Sequence, residues 1–164
     1  MFSYLKKNPS RKILIDPGPH SLPTHEKQDY DWSEFYPDAE EEISPDRPNP
    51  KGNLVHITCY VDTDHAHDQV TRRSVTGILL FVNNTPIHWI SKRQKTVETS
   101  IYRSELVAAR IATELIIEAR YQLLMLGVPL TRPATILGDS LSIVINTSVP
   151  SSQLKKKHQA IYYY

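Results

Sequence analysis

Cysteine is nearly missing: Cys59 stands alone among 164 residues. No disulfide can close within the chain, and a reducing compartment is its natural setting. Cys59 sits in an apolar, alternating stretch, which marks a small buried residue rather than a nucleophile. Long apolar runs are missing as well. Nothing approaches the roughly 18 residues that span a bilayer, and the first residues lack the apolar centre of a signal peptide. The expectation is an intracellular chain with no membrane and no disulfide partner. Net charge is almost absent too, at +1, but only because two unlike regions cancel. Residues 26–46 hold nine acids and one lysine, whereas residues 51–164 hold thirteen lysines and arginines against eight acids. A mildly basic folded part suits a polyanionic partner, although charge alone is explained more simply by a solvated basic face.

What is present divides the chain. Its length fits one domain with a substantial core. Eight of the twelve prolines fall in residues 1–50, together with most of the acids. The opening reads as a helical end at Phe2–Lys7, a turn at Asn8-Pro9 and a short strand at Lys12–Ile15. Residues 17–52 lack periodicity and read as an acidic, Pro-rich connection, in which Trp32, Phe35 and Tyr36 offer something to dock.

From Leu54 the pattern changes. Val55, Ile57, Cys59 and Val61 alternate with His56, Thr58, Tyr60 and Asp62, the period of a strand that Asp62 ends. "SVTGILLFV" (74–82) is a second strand, "NNT" (83–85) a turn, and "PIHWIS" (86–91) a third strand in which Trp89 reads as a core residue. The strongest helix begins near Thr99 or Ser100 and stops at Gly127, with Pro129 just beyond. "ATILGDS" (134–140) is a fourth strand breaking at Gly138-Asp139, and residues 140–149 form a short helix for Ser140 to cap. A last helical segment opens near Gln153. This order predicts an α/β fold: a three-stranded antiparallel meander plus a parallel strand reached through a crossover helix.

Three acids stand at telling places in that plan. Asp62 ends the first strand, Glu105 lies in the first turns of the long helix, and Asp139 ends the fourth strand. Parallel neighbours would bring Asp62 and Asp139 together at their carboxyl ends, where open α/β sheets place ligands. Ala108, Ala109 and Ala112 follow Glu105 at helical spacing, small enough for the helix to approach the sheet closely. Three carboxylates in one cleft repel each other unless a cation neutralises them. Oxygen ligands alone select Mg²⁺ or Mn²⁺ over zinc, and two such ions about 4 Å apart activate water against a phosphodiester. The plainer reading is that these are turn, cap and helix-dipole residues, which spacing alone does not exclude.

The residues carry a resemblance. "YVDTDHAHDQVTRRSVTGILLFVNNTPIHWISKRQKTVETS", followed by "SELVAARIATE" and "LGDSLSIV", closely resembles the ribonuclease H domain of copia-type retrotransposon polyproteins, from about Val61 to His158. The opening "FSYLKKNPSRKILIDP" resembles the tail of the preceding reverse transcriptase domain. The resemblance divides the chain into 1–16 (that tail), 17–52 (the connection) and 53–164 (an incomplete ribonuclease H-like domain). It implies a mixed five-stranded sheet with flanking helices and cleavage of the RNA strand of RNA–DNA hybrids with two Mg²⁺. The reverse transcriptase domain of the same polyprotein would be a partner, and the setting cytoplasmic, in a retroelement particle, or nuclear. By motif match Asp62, Glu105 and Asp139 take the catalytic and metal-binding positions, with Asp64 a spectator.

The departures are equally specific. The family's fourth acid lies in a "LAD"-like stretch after a further strand and helix, and this chain stops at Tyr164 before reaching it. His67 stands where many relatives carry glycine, and Arg103 where a small residue is usual, placed to pair with Glu105 or obstruct the cleft. A catalytically inactive nucleic-acid-binding remnant is therefore the alternative expectation. Arg72, Arg73, Lys92, Arg93 and Lys95 bracket the meander and are candidates for the phosphates of a hybrid, recognised by charge and duplex shape; singly, each reads as a solvated base. "LKKKH" (154–158) is a further basic stretch. His65 and His67 near Cys59 suggest zinc only weakly, since Cys59 faces away from Asp62 and no second cysteine exists.

Overall fold

The computed structural model describes residues 7, 10, 12–18, 31–38, 40–131 and 133–149. Within them the chain forms β1 (Ile57–Asp64), β2 (Val75–Val82), β3 (Thr85–Arg93), α1 (Ile101–Met125), β4 (Thr135–Gly138) and α2 (Leu141–Ser148). The four strands make one sheet in the order β3-β2-β1-β4. β1, β2 and β3 pair antiparallel, and β4 joins β1 in parallel. The expected meander, crossover helix and parallel fourth strand are all present. No helix of the described residues is long and apolar enough to cross a membrane.

Alternation builds the core. Ile57 and Cys59 on β1, with Ile78 and Leu80 on β2, point to one face and are buried there against Ala112, Ile116 and Ala119 of α1. The stripe of α1 facing the sheet is Ser104, Ala108, Ala112, Ile116 and Ala119, spaced by three or four residues. Its upper half is made of small side chains, so helix and sheet backbones approach closely there. α1 starts where Ser100 accepts a hydrogen bond from the Arg103 amide. It stops where Gly127 adopts φ +73°, letting its amide reach the Leu124 carbonyl and the Val128 amide reach that of Leu123. A Cβ at Gly127 would also sit 3.4 Å from the Asn49 carbonyl and from Pro48.

Several sequence expectations are corrected. β1 does not end at Asp62 but runs on to Asp64, because β2 pairs with it as far as Val75. Residues Lys12–Ile15 form no strand: Ile13, Leu14 and Ile15 are exposed and make no ladder with the sheet. Trp89 is not a core residue; it is 61% exposed on the face opposite α1, beside Leu79. Ser140 holds the N-cap position of α2 but makes no side-chain capping bond. The helical segment expected near Gln153 and the turn at Asn8-Pro9 lie outside the described residues, as does the N-terminal helical end except for Lys7.

Contacts cross the expected boundary at Gly52. The Asp16 amide donates to Thr85 Oγ1 (2.8 Å), Thr85 Oγ1 donates back to the Asp16 carbonyl (3.0 Å), and Asn83 Nδ2 donates to the Pro17 carbonyl (2.8 Å). Farther on, Arg120 forks onto both carboxylate oxygens of Glu41 (2.7 and 2.9 Å) and also donates to the Thr131 carbonyl (3.1 Å). Both side chains are largely covered, so replacing Arg120 by methionine is expected to cost about 1–3 kcal/mol, since Glu41 and the Thr131 carbonyl then lose a charged donor. A lower urea midpoint at unchanged slope checks this.

Candidate functional site

The β1–β4 register ends with Val61 opposite Gly138, so the next residues, Asp62 and Asp139, leave the parallel pair side by side. α1 crosses over the same end, with Glu105 directly after the buried Ser104 in its first turns. Asp62, Glu105 and Asp139 together line one cleft of about 420 Å³, floored by Val61, Ala108, Ala109 and Gly138 and closed on one side by α2. The juxtaposition expected from the sequence is present. Its cause is long-range: a parallel pairing between residues nearly 80 positions apart in the chain.

The cleft lining offers carboxylates and hydroxyls, without histidine or cysteine, a donor set suited to a hard divalent cation. Asp62 Oδ1 accepts the Thr63 amide at 2.7 Å. Among the described residues, no three His, Cys, Asp or Glu side chains draw together into a group that holds a metal. Asp62 and Asp139 are exposed, so their carboxylates reorient without repacking the core. The three carboxylates line the cleft and would have to draw closer to share an ion.

The neighbouring acids are otherwise engaged. Asp64 lies beyond the cleft and pairs with His67. Asp68 gathers the amides of Val70 and Thr71 and the guanidinium of Arg93. The Thr71 bonds, with a smaller contribution from Arg93, hold its carboxyl well below the usual range. Arg103 resolves differently from both sequence alternatives: it stands 3.5 Å from the buried carboxylate of Glu98 and does not line the cleft.

The five candidate phosphate-binding bases collect at the same end of the sheet. Arg72 and Arg73 precede β2, Arg93 lies opposite Val75, Lys92 lies opposite Thr76, and Lys95 follows. All five are exposed, Arg93 being tied to Asp68. Lys92, Arg93 and Lys95 also line a wider groove, about 860 Å³, on the other flank of α1 with Arg110 and Gln94. Sequence reasoning passed over these last two. Arg110 had a usable signal, lying on the helix within two turns of Glu105; Gln94 had none.

The residues weighed for zinc are engaged elsewhere: His67 pairs with Asp64. His65 Nδ1 bonds Ser104 Oγ (3.2 Å), and Cys59 is fully buried on the helix-facing side. Burial pushes its thiol up to about 11. Because the folded state keeps this proton, the associated stability is complete below the ordinary thiol range and is lost as pH rises towards 11. At pH 8 the native chain is expected to react with a thiol reagent only as fast as it opens, and at once in denaturant.

No family model and no solved structure matches the chain. Over 114 residues, 70% of the chain, it is 31% identical to the Retrovirus-related Pol polyprotein from transposon RE1 of Arabidopsis thaliana and 28% identical to that from transposon RE2. It spans 8% of the length of each. Over 64 residues, 39% of the chain and 45% of the relative, it is 34% identical to Secreted RxLR effector protein 161 of Plasmopara viticola. For most of its length, then, the chain is similar to a small portion of retrovirus-related Pol polyproteins of plant transposons.

Proposed function

We propose that the chain is a retroelement-derived ribonuclease H module that hydrolyses the RNA strand of RNA–DNA hybrids with Mg²⁺ or Mn²⁺. One observation carries the reading: three acids from β1, α1 and the end of β4 line a single cleft, at the end of the sheet where the exposed bases also gather. Asp62, Glu105 and Asp139 would hold two ions, which when bound supply a water nucleophile and neutralise the charge developing on the phosphodiester. Ala109 and Gly138, small residues of the cleft lining, would give the backbone of a nucleic acid room to approach. Arg72, Arg73, Lys92 and Lys95 would hold flanking phosphates without reading sequence. The similarity to Pol polyproteins supports a retroelement origin; a reverse transcriptase domain as neighbour and action inside the cell belong to the same proposal. The test is a hybrid with labelled RNA: fragments should appear with Mg²⁺ and vanish with chelator, and intact RNA at all Mg²⁺ concentrations overturns the reading.

A second reading follows from the separated carboxylates: a module that binds hybrids through its bases without cutting them. Binding that weakens with salt, persists without Mg²⁺ and fails in an Arg72→Ala, Arg73→Ala double variant would favour it over hydrolysis.

A further inference from the structure

We infer that Gln94 is a positioning residue that sets the spacing between Asp62 and Glu105, an inference that rests on the nuclease reading. Gln94 follows β3 directly and is only 4% exposed. Its Nε2 donates to Thr76 Oγ1 (3.0 Å) and to the Ser104 carbonyl (2.8 Å). A carbonyl only accepts, so the Ser104 contact settles which end of the carboxamide is nitrogen. The other end, Oε1, is buried and has no partner among the described residues. Leaving an acceptor bare in the interior is costly, and leucine would fill similar space without that cost. What glutamine adds is a double donation from one nitrogen, tying the β2 strand to the first turn of α1.

The tie meets the acids through their chain neighbours. Thr63 Oγ1 donates to the same Ser104 carbonyl (3.4 Å), and the Ser104 hydroxyl donates to the Ile101 carbonyl (2.7 Å) while contacting His65 Nδ1. Thr63 directly follows Asp62, and Ser104 directly precedes Glu105. Farther along, α1 rests on the sheet through apolar contacts of Ala112 and Ile116. At the cleft end, polar bonds converging on one carbonyl hold helix and strand in register. Two carboxylates that share ions tolerate little error in spacing, so a residue that touches neither can still govern metal affinity.

The experiment compares the full chain with its Gln94→Leu variant by calorimetric titration with Mn²⁺, by kcat and KM on a hybrid, and by thermal unfolding. Gln94→Leu is expected to raise the Mn²⁺ dissociation constant roughly tenfold or more and to lower kcat, with KM for the hybrid within about twofold. The unfolding temperature should fall by only a few degrees, because loss of the bare Oε1 partly offsets the donor lost to buried Thr76 and to the Ser104 carbonyl. Thr63→Val should weaken Mn²⁺ in the same direction and Thr63→Ser should not, which provides the test if Gln94→Leu fails to fold. Mn²⁺ affinity equal to the parent chain in both Gln94→Leu and Thr63→Val overturns the inference while leaving the nuclease reading intact. So does a kcat loss that merely follows a fall in folded fraction. A parent chain that neither binds Mn²⁺ nor cuts hybrid overturns both.

Discussion

Asp62→Asn is expected to lower Mg²⁺-dependent cleavage of a hybrid by at least about 10²-fold, while Asp64→Asn stays within roughly threefold of the parent chain. The two residues stand two positions apart on β1, flanking Thr63, and share strand and exposure. They differ in place: Asp62 lines the cleft with Glu105 and Asp139, whereas Asp64 lies beyond it and pairs with His67. Metal-assisted chemistry supplies several kcal/mol of transition-state stabilisation, and a neutral carboxamide gives up most of one ligand's share. Without metal, Asp62→Asn should leave the fold at least as stable, since it removes one of three neighbouring negative charges. Cleavage and thermal unfolding of both variants check this, and equal losses at the two positions would place the chemistry elsewhere.

Ala108→Leu is expected to cost about 1–3 kcal/mol of stability and most of the cleavage activity together. Ala108 is wholly buried and lies one helical turn after Glu105, where α1 presses against the sheet and also floors the cleft. Three extra carbons have nowhere to go except by lifting the helix, and lifting it carries Glu105 away from Asp62. Ala108→Gly separates the two effects. It costs about 1–2 kcal/mol through helix propensity and one lost buried methyl group, leaves the cleft open, and should keep its cleavage. Denaturant titration and hybrid cleavage on both variants read the two quantities independently.

What could be read from the sequence was local. The alternation in β1 and β2, the uninterrupted helix formers between Ser100 and Gly127, and the Gly138-Asp139 break each name an element without reference to anything distant. Trp89 shows where this fails. "PIHWI" is apolar on both of its alternating faces, and only pairing with β2 decides that Ile90 turns towards α1 while Trp89 turns away. Ile13 to Ile15 have strand composition yet stay outside the sheet: the next residues, Asp16 and Pro17, meet it through bonds to the side chains of Asn83 and Thr85. That Asp62, Glu105 and Asp139 share one cleft was legible because each stands at the end or start of an element whose pairing the chain order implies. Gln94 was not legible, because a polar residue after a strand reads as loop. Its burial is created by Thr76, eighteen residues earlier, and by Ser104, ten residues later.

The bonds between Asp16, Pro17 and the Asn83–Thr85 turn join chain positions 66 to 69 residues apart. The β2–β3 hairpin beside them closes across a two-residue turn. Closing the larger loop takes more entropy and returns only a few exchanged hydrogen bonds, so the three-stranded meander assembles without it. That join is a seam: it closes after the meander during folding, and it parts before the meander when the native state begins to breathe.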